Sequence, residues 1–340
     1  MALRDDRVTL AHGGGGKAMR DLIEEVFTDV FEPPGMEDQA RLEAGALSEP
    51  GARLAFTTDA YVVTPVEFPG GDIGKIAVAG TVNDLAVGGA QPLWLSAAFI
   101  IEEGTEVALL RRIVATMKAE ADKAGVRIVT GDTKVVDRGA ADTLFVTTAG
   151  VGIIPPGRDM AAGHVRPGDV AIVNGVLGDH GATILAARGD LALQSPIQSD
   201  CASLGHLIDA VLAAAPDARA ARDLTRGGLA SALNEIAGAA KCGIEIEESA
   251  LPLRDEVVGM CEILGLDPLY LANEGRVVVF VPEAQAEAAL AAMKRLPEGA
   301  GAAIIGGAVE AHPGLVHMRT AFGGARIVDM LVGEQLPRIC

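Results

Sequence analysis

The chain has 340 residues, of which 49% are hydrophobic, 22% charged and only 3% aromatic, and its formal net charge at pH 7 is −18. This length predicts two domains, each with a sizeable core. The acidic balance and the scarcity of aromatic rings argue against a nucleic acid or an anionic membrane as partner, because those surfaces are bound through Lys, Arg and stacked rings. ATP is not excluded, since it needs only a few local cations and a metal. No stretch approaches roughly 18 apolar residues and the first residues lack an apolar signal core, so we expect a cytoplasmic protein.

Strand and helix patterns alternate along the first half of the chain. Strands are predicted at 8–12, 53–68, 92–101, 126–136 and 143–154. Helices are predicted at 17–31, 73–89 and 106–125, the second of them interrupted near Asn83 and Asp84. Pro155, Pro156 and Gly157 then favour a domain boundary.

The second half repeats this alternation. Strands are predicted at 169–175, 243–247, 276–281, 302–310 and 324–331, and helices at 178–189, 204–215, 227–241 and 283–296. We therefore expect an α+β protein with domains at 1–155 and 156–331, followed by a mobile tail at 332–340.

A run of four glycines, Gly13, Gly14, Gly15 and Gly16, stands directly before Lys17 and a predicted helix. Glycines at a helix start let backbone N–H groups point at an anion, which predicts a phosphate-binding loop. The run does not match the Walker A pattern, and a flexible turn is the alternative.

Three aspartates stand beside Thr or Asn at the edges of apolar segments: Asp59, Asp84 and Asp132. Carboxylates suit Mg²⁺, which binds oxygen ligands alongside phosphates. Each alone is as readily a cap or turn residue. Lys134, two residues after Asp132, could neutralise phosphate charge or could simply be a solvated lysine at the end of a strand.

Two further motifs carry polar residues into the second half. Asp223, Thr225 and Arg226 precede a glycine pair and a helix, so they fit either a second phosphate-facing surface or ordinary capping. Glu274 stands in a short polar break before a buried strand, where it is either a base or a turn residue.

The four cysteines are too few and too widely spaced for a disulfide framework or a zinc site. Cys201, Cys242 and Cys261 lie in apolar segments and are predicted to be buried. Cys340, the last residue of the sequence, is an accident, half of a disulfide or a reactive group.

Nine segments together resemble one family. They are LAHGGGGKAM, FTTDAYVV, FPGGDIGK, GTVNDLAVGGA, IVTGDTKVV, LGDHGATIL, DLTRGGL, LANEG and the final PRIC. They closely resemble, in the same order, the HypE family of hydrogenase maturation proteins, the carbamoyl dehydratase group of the PurM-like ATP-binding superfamily.

The resemblance implies a PurM-like two-domain fold whose N-terminal sheet helps to build a homodimer. It implies that Cys340 receives a carbamoyl group from the carbamoyltransferase HypF. ATP-dependent dehydration then converts the thiocarboxamide into a thiocyanate, and the cyano group passes to iron held by a HypC–HypD complex, for [NiFe] hydrogenase.

The resemblance also implies roles for individual residues. Asp59, Asp84 and Asp132 would surround Mg²⁺ and ATP, with Lys134 and Glu274 taking part in dehydration. The phosphates would lie near Gly13, Gly14, Gly15, Gly16, Lys17 and Thr133.

There are two rival functions, a related enzyme and a protein of a different class. A PurM-like phosphoryl-transfer enzyme of the selenophosphate synthetase kind needs a reactive residue in its N-terminal glycine-rich segment, and the first cysteine here is Cys201. A non-catalytic assembly scaffold with a docking tail would release no phosphate from ATP.

Overall fold

The computed structural model describes residues 6–14, 16–33, 39–42, 45, 49–189, 196–331 and 338–340. The described residues contain two large sheets and one two-stranded hairpin. One is four-stranded and uses residues up to 154, and the other is seven-stranded and uses residues from 169 onward. The α+β class predicted from the alternating patterns is confirmed.

The first sheet has the strand order β1-β6-β4-β5. Its strands are β1 (Arg53–Tyr61), β4 (Gln91–Glu102), β5 (Arg127–Val136) and β6 (Leu144–Ile154), and a short hairpin, β2 (Glu67–Phe68) with β3 (Gly71–Asp72), follows β1. Of the neighbouring strands, only β4 and β5 run parallel. The strand order places β1 and β5 at the two edges of the sheet.

One face of this sheet is covered by two long helices, α3 (Ile73–Val87) and α4 (Val107–Ala124). They approach closely at Gly74, where an added Cβ would lie 2.6 Å from the carbonyl oxygen of Ile113. Helix α3 is continuous, so the predicted interruption near Asn83 and Asp84 is wrong. Asn83 bonds outward instead, donating to Ala202 O at 3.0 Å and accepting from Leu204 N at 2.7 Å.

The opposite face of the four-stranded sheet is open among the described residues. Side chains alternate across a strand, so Leu54 and Phe56 of β1 point away from α3, and they are 56% and 69% exposed. Ile100 of β4 shares this face and is 39% exposed. An apolar sheet face of this kind is typical of a surface that a partner covers.

The predicted helix at 17–31 forms with an irregular centre. It consists of α1 (Lys17–Leu22), a π-helical segment (Ile23–Thr28) and α2 (Asp29–Phe31). The predicted strand at 8–12 is wrong, because Leu10–Gly13 is a 3₁₀-helix. Local bonds curl the chain there: His12 N donates to Thr9 O at 3.0 Å, and Thr9 N donates to His12 Nδ1 at 3.0 Å.

The second sheet has the order β13-β12-β9-β11-β7-β10-β8. Its strands are β7 (Asp169–Val173), β8 (Ala220–Asp223), β9 (Gly243–Glu247), β10 (Val277–Pro282), β11 (Ala303–Val309), β12 (Val316–Arg319) and β13 (Ala325–Ile327). Strand β10 is apolar throughout because helices cover both of its faces.

The helices of this second half are α5 (Asp179–Ala187), α6 (Gly205–Ala214), α7 (Gly228–Ala240), α8 (Asp255–Leu264) and α9 (Glu283–Lys294). Sequence patterns predicted all of them except α8, and they missed β8 and β12, whose four residues are too few to set a period. None of the helices in the described residues is both long and apolar enough to cross a membrane.

Candidate active site between the two sheets

A small cavity of about 50 Å³ lies where the two halves of the chain meet, and we call it the acidic cavity. Its walls are Asp59, Ala60, Tyr61, Gly80, Asp84, Asp223, Thr225, Arg226, Glu274 and Cys340. The fold therefore brings Cys340 together with three of the acidic residues that the sequence singled out, Asp59, Asp84 and Glu274.

Two threonines orient the carboxylates of β1 and α3. Thr81 donates its hydroxyl to Asp59 Oδ2 at 2.9 Å, and Thr57 donates to Asp84 Oδ2 at 2.8 Å. Both bonds go to Oδ2, which leaves the Oδ1 atoms available as ligands. Burial, reinforced by the negative charge of Asp59, raises the pKa of Asp84.

Asp223 is a third carboxylate of the cavity, and it stands at the end of β8. Burial and the negative charges of Asp84 and Asp59 raise its pKa to about 7. Sequence patterns left Asp223, Thr225 and Arg226 as either a second phosphate-facing surface or ordinary caps, because the closeness of Asp223 to Asp59 depends on how the two halves pack. The raised pKa of Asp223 shows that negative charge is in excess in this cavity.

Glu274 is 2% exposed, and the turn around it is tightly fixed. Gly275 is required by close packing, because an added Cβ would lie 2.0 Å from Asp200 O. Asn273 donates to Leu224 O and Leu271 O, both at 3.0 Å, and accepts from Gly178 N at 2.7 Å. Glu274 therefore lies in a fixed turn, and its buried carboxyl lines the acidic cavity.

The Glu274 carboxyl and the Cys340 thiol affect each other directly. Burial, followed by the negative charges of Asp200 and Asp223, raises the pKa of Glu274 well above its usual range, and interaction with the thiol partly offsets this. Burial and the Glu274 charge raise the pKa of Cys340, against the positive charge of Arg226. The thiol is therefore protonated while it lies in the cavity.

The other predicted site residues lie elsewhere. Asp59 pairs with Thr148, Thr148 with Ala97, and Ala97 with Gly131, so the row crosses all four strands. Neighbouring strands are about 4.8 Å apart, so Asp59 and Gly131, the residue before Asp132, are about 14 Å apart. One copy of the chain therefore does not bring Asp132 together with Asp59 and Asp84.

Asp132 and Lys134 point to the open face of the sheet, opposite Asp59. Lys134 Nζ lies 3.5 Å from Asp132 Oδ2, and the two side chains are 66% and 61% exposed. Thr133 points to the other face, is 4% exposed, and donates its N–H to Asp132 Oδ1 at 2.8 Å.

The glycine loop lies beside these β5 residues. An added Cβ at Gly13 would lie 2.9 Å from Val135 Cβ, which shows how closely the loop approaches β5. Gly14 and Gly16 have more space, Lys17 forms an ion pair with Asp21, and Gly15 lies outside the described residues.

A second cavity, of about 210 Å³, opens next to Asp132 and Thr133. Its floor is apolar and includes Phe27 and Phe99, whose ring centroids are 4.7 Å apart. The predicted residues thus form two groups, one in the acidic cavity and one along β5.

Comparison with known families gives two matches that together span most of the chain. Residues 37–154 match the N-terminal domain of AIR synthase related proteins, and residues 166–317 match their C-terminal domain. The chain is also similar to a curated protein of Rhodobacter capsulatus, Carbamoyl dehydratase HypE, with 84% identity over 340 residues and 100% coverage of both chains.

Solved structures agree with this. The hydrogenase maturation protein HypE in complex with ATP has a TM-score of 0.92 and 46% identity, covering 98% of this chain and 99% of its own. A HypE–HypF complex gives a TM-score of 0.79 and 45% identity, covering 91% and 99%. The two-domain PurM-like fold implied by the sequence segments is confirmed.

The raised pKa of Asp223 generates a prediction for folding stability. A carboxyl whose pKa is about 7 in the folded protein and near 3.8 when unfolded stabilises the fold at low pH. That contribution is lost as pH rises toward 7. Because the contribution is lost progressively between about pH 3.8 and pH 7, urea unfolding should show Asp223→Asn more stable than wild type near pH 8 and similar to it below pH 3.8. An equal difference at both pH values would contradict the assignment.

Proposed function

The chain belongs to the HypE carbamoyl dehydratases, and from this premise we propose that Cys340 carries the carbamoyl group on which the enzyme acts. The observation that carries the proposal is the Cys340 side chain inside the acidic cavity, beside the buried Glu274 carboxyl. The reaction converts the thiocarboxamide of Cys340 to a thiocyanate, consumes ATP, and supplies cyanide ligands for the iron of [NiFe] hydrogenase.

The chemistry explains the need for ATP. An amide oxygen is a poor leaving group, so it first attacks the γ-phosphorus of ATP and displaces ADP. The C–O bond of the phosphorylated group then breaks and releases phosphate. The two N–H protons are lost in the course of this elimination, which leaves a carbon–nitrogen triple bond on the Cys340 sulfur.

Glu274 is the proposed base. Its raised pKa makes the ionised carboxylate a better proton acceptor than an ordinary glutamate. Arg226, at the rim of the same cavity, supplies positive charge near the sulfur.

Loading is proposed to occur outside the cavity. The high pKa of the Cys340 thiol inside the cavity keeps it protonated, and a protonated thiol is a poor nucleophile. The tail, 332–340, would therefore leave the cavity to be carbamoylated by HypF, and a relative has been solved with HypF. A HypC–HypD iron complex is the proposed acceptor of the cyano group. Residues 332–337 lie outside the described residues.

ATP is proposed to bind near the glycine loop, in the domain formed by 1–155, with 156–331 as the second domain of a cytoplasmic protein. A relative binds ATP. Mg²⁺ would be held by Asp59 and Asp84, whose free Oδ1 atoms fit a cation that takes one or two carboxylates and fills its shell with phosphate and water. When bound, it would neutralise charge on the phosphates.

A homodimer would unite the two groups of residues. The edges β1 and β5 carry the groups that one copy holds apart, and the open apolar face between them includes Phe56. We propose that two open faces close on each other around a two-fold axis, so that β5 of one copy lies near β1 of the other. Asp132 and Lys134 of a second copy would then complete the acidic cavity.

The dehydratase assignment is tested by intact-mass spectrometry of protein loaded with one carbamoyl group. Wild type should lose the mass of one water when ATP and Mg²⁺ are added, and Cys340→Ala should neither accept the group nor lose water. Glu274→Gln should keep the carbamoyl group and lose water about 100-fold more slowly, because the base is gone. ATP affinity by calorimetry should be unchanged in both variants. Wild-type mass that stays constant while ATP is consumed would overturn the proposal.

The dimer is tested at Phe56, which is 69% exposed in one copy. Phe56→Asp should place a charge in the proposed interface and shift light-scattering mass from two chains to one. Phe322→Asp is the matched control, because Phe322 is 100% exposed in the other half of the chain. If Phe56→Asp stays dimeric, the open sheet face is not the interface.

A further inference from the structure

The last three residues occupy a defined site formed by both halves of the chain. Ile339 is 5% exposed and packs into the core of the first half. Its carbonyl oxygen lies 2.7 Å from Nε2 of His180, which is fully buried at the start of α5. We call the residues that contact 338–339 the tail-binding site, namely Thr64, Asp142, His180 and Arg188.

The hydrogen bonds of His180 define its tautomer. A carbonyl oxygen only accepts, so Nε2 carries the proton and donates to Ile339 O. Nδ1 then accepts from the Ser199 hydroxyl at 2.8 Å, and Ser199 Oγ in turn accepts from Cys201 N at 3.2 Å. The ring is neutral, since burial lowers the pKa of His180. Every polar atom in this row has a partner, which fixes the ring plane and the donor direction.

A second carbonyl of the tail is bound as firmly. Arg338 O accepts from Arg188 Nη2 at 2.8 Å and from Thr64 N at 3.3 Å. Arg188 is itself held, because its Nε donates to Thr64 O at 3.0 Å. The Arg338 side chain adds an exposed contact to Asp142 at 3.2 Å. Two successive carbonyls and one apolar side chain therefore anchor the tail.

These anchors stop one residue before the cysteine. Their polar contacts are to the carbonyls of 338 and 339 and to the Arg338 side chain, and the Cys340 sulfur takes no part in them. A tail whose sulfur carries a carbamoyl or cyano group presents the same anchoring atoms. The tail-binding site can thus hold every chemical state of the cysteine in the same register.

We propose that His180 is a positioning residue for the dehydration, which fixes the tail so that the group on Cys340 faces Glu274. This inference rests on the proposed function. His180 does not touch the reacting atoms, and it acts through the Ile339 carbonyl. A reaction that needs a base and a phosphoryl donor around one amide depends on such placement, because small displacements cost rate steeply.

The test compares His180→Phe, which keeps the ring shape but cannot donate, with His180→Gln, which offers an amide N–H in place of Nε2. Cys340 is partly buried in the docked tail, so an alkylation rate by iodoacetamide above that of wild type reports more frequent departure of the tail from the cavity. His180→Phe should raise that rate about tenfold, the loss expected for one buried hydrogen bond, and His180→Gln should restore it toward wild type. Cys201, Cys242 and Cys261 are buried and should stay unlabelled, which separates tail release from unfolding.

The same variants are then loaded with a carbamoyl group and given ATP. His180→Phe should lose water about tenfold more slowly than wild type, with unchanged ATP affinity. Arg188→Met, at a half-buried position of the site, is a second variant that removes the guanidinium bonds to Thr64 O and Arg338 O, and it should also expose Cys340. Wild-type alkylation rates in both variants would overturn the proposal. Alkylation requires no ATP, so it measures tail binding independently of dehydration. Failure of wild type to lose water would contradict the dehydratase assignment but would leave the alkylation result interpretable.

Discussion

Burial of the Glu274 carboxyl beside the Cys340 thiol is the interaction on which the rest of the site depends. Both groups are ionisable and lie in a cavity of about 50 Å³, where Asp223 and Asp200 add further negative charge. Such a cavity disfavours a thiolate and favours a neutral sulfur substituent, such as a thiocarboxamide. The same burial makes Glu274 basic. The cavity is therefore poorly suited to loading the cysteine and well suited to transforming what the cysteine carries.

Under the proposed function, Cys340 must leave the cavity for loading and take up a precise position when it returns. The tail-binding site meets the second requirement with backbone contacts, through His180 and Arg188, that are independent of the sulfur's chemical state. Departure of the tail is possible because only a few hydrogen bonds hold it in the tail-binding site. Each of them contributes little net stability, since water can replace it. Precision and reversibility thus come from the same small set of bonds.

The sequence anticipated single residues better than their grouping. Asp59, Asp84 and Glu274 were chosen because each sits at the end of an apolar segment, and all three line the acidic cavity. Asp132 and Lys134 satisfied the same criterion but lie at the other edge of the sheet. Their position depends on the strand order β1-β6-β4-β5, which local sequence patterns do not predict.

Errors in the fold have a similar origin. The segment at 8–12 looks like a strand by composition, yet the His12 ring bonds back to Thr9 and curls it. Asn83 suggested a break in α3, but its side chain finds Ala202 and Leu204 across the domain contact. His180 illustrates the same limit, since only the docked tail gives its buried ring a role. Long periodic elements were predictable, and contacts made across the two halves were not.

In the proposed homodimer, β5 of a second copy completes the acidic cavity of the first. The most direct measurement mixes two inactive variants, Cys340→Ala and Lys134→Ala, after denaturation and refolding together, and follows ATP-dependent water loss from carbamoyl-loaded protein. A shared site leaves one intact cavity in each mixed dimer, so activity should return to about a quarter of wild type when the copies pair at random. Mixed dimers that form but stay inactive would show that each cavity uses Cys340 and Lys134 of the same copy. That result would contradict the proposed shared site.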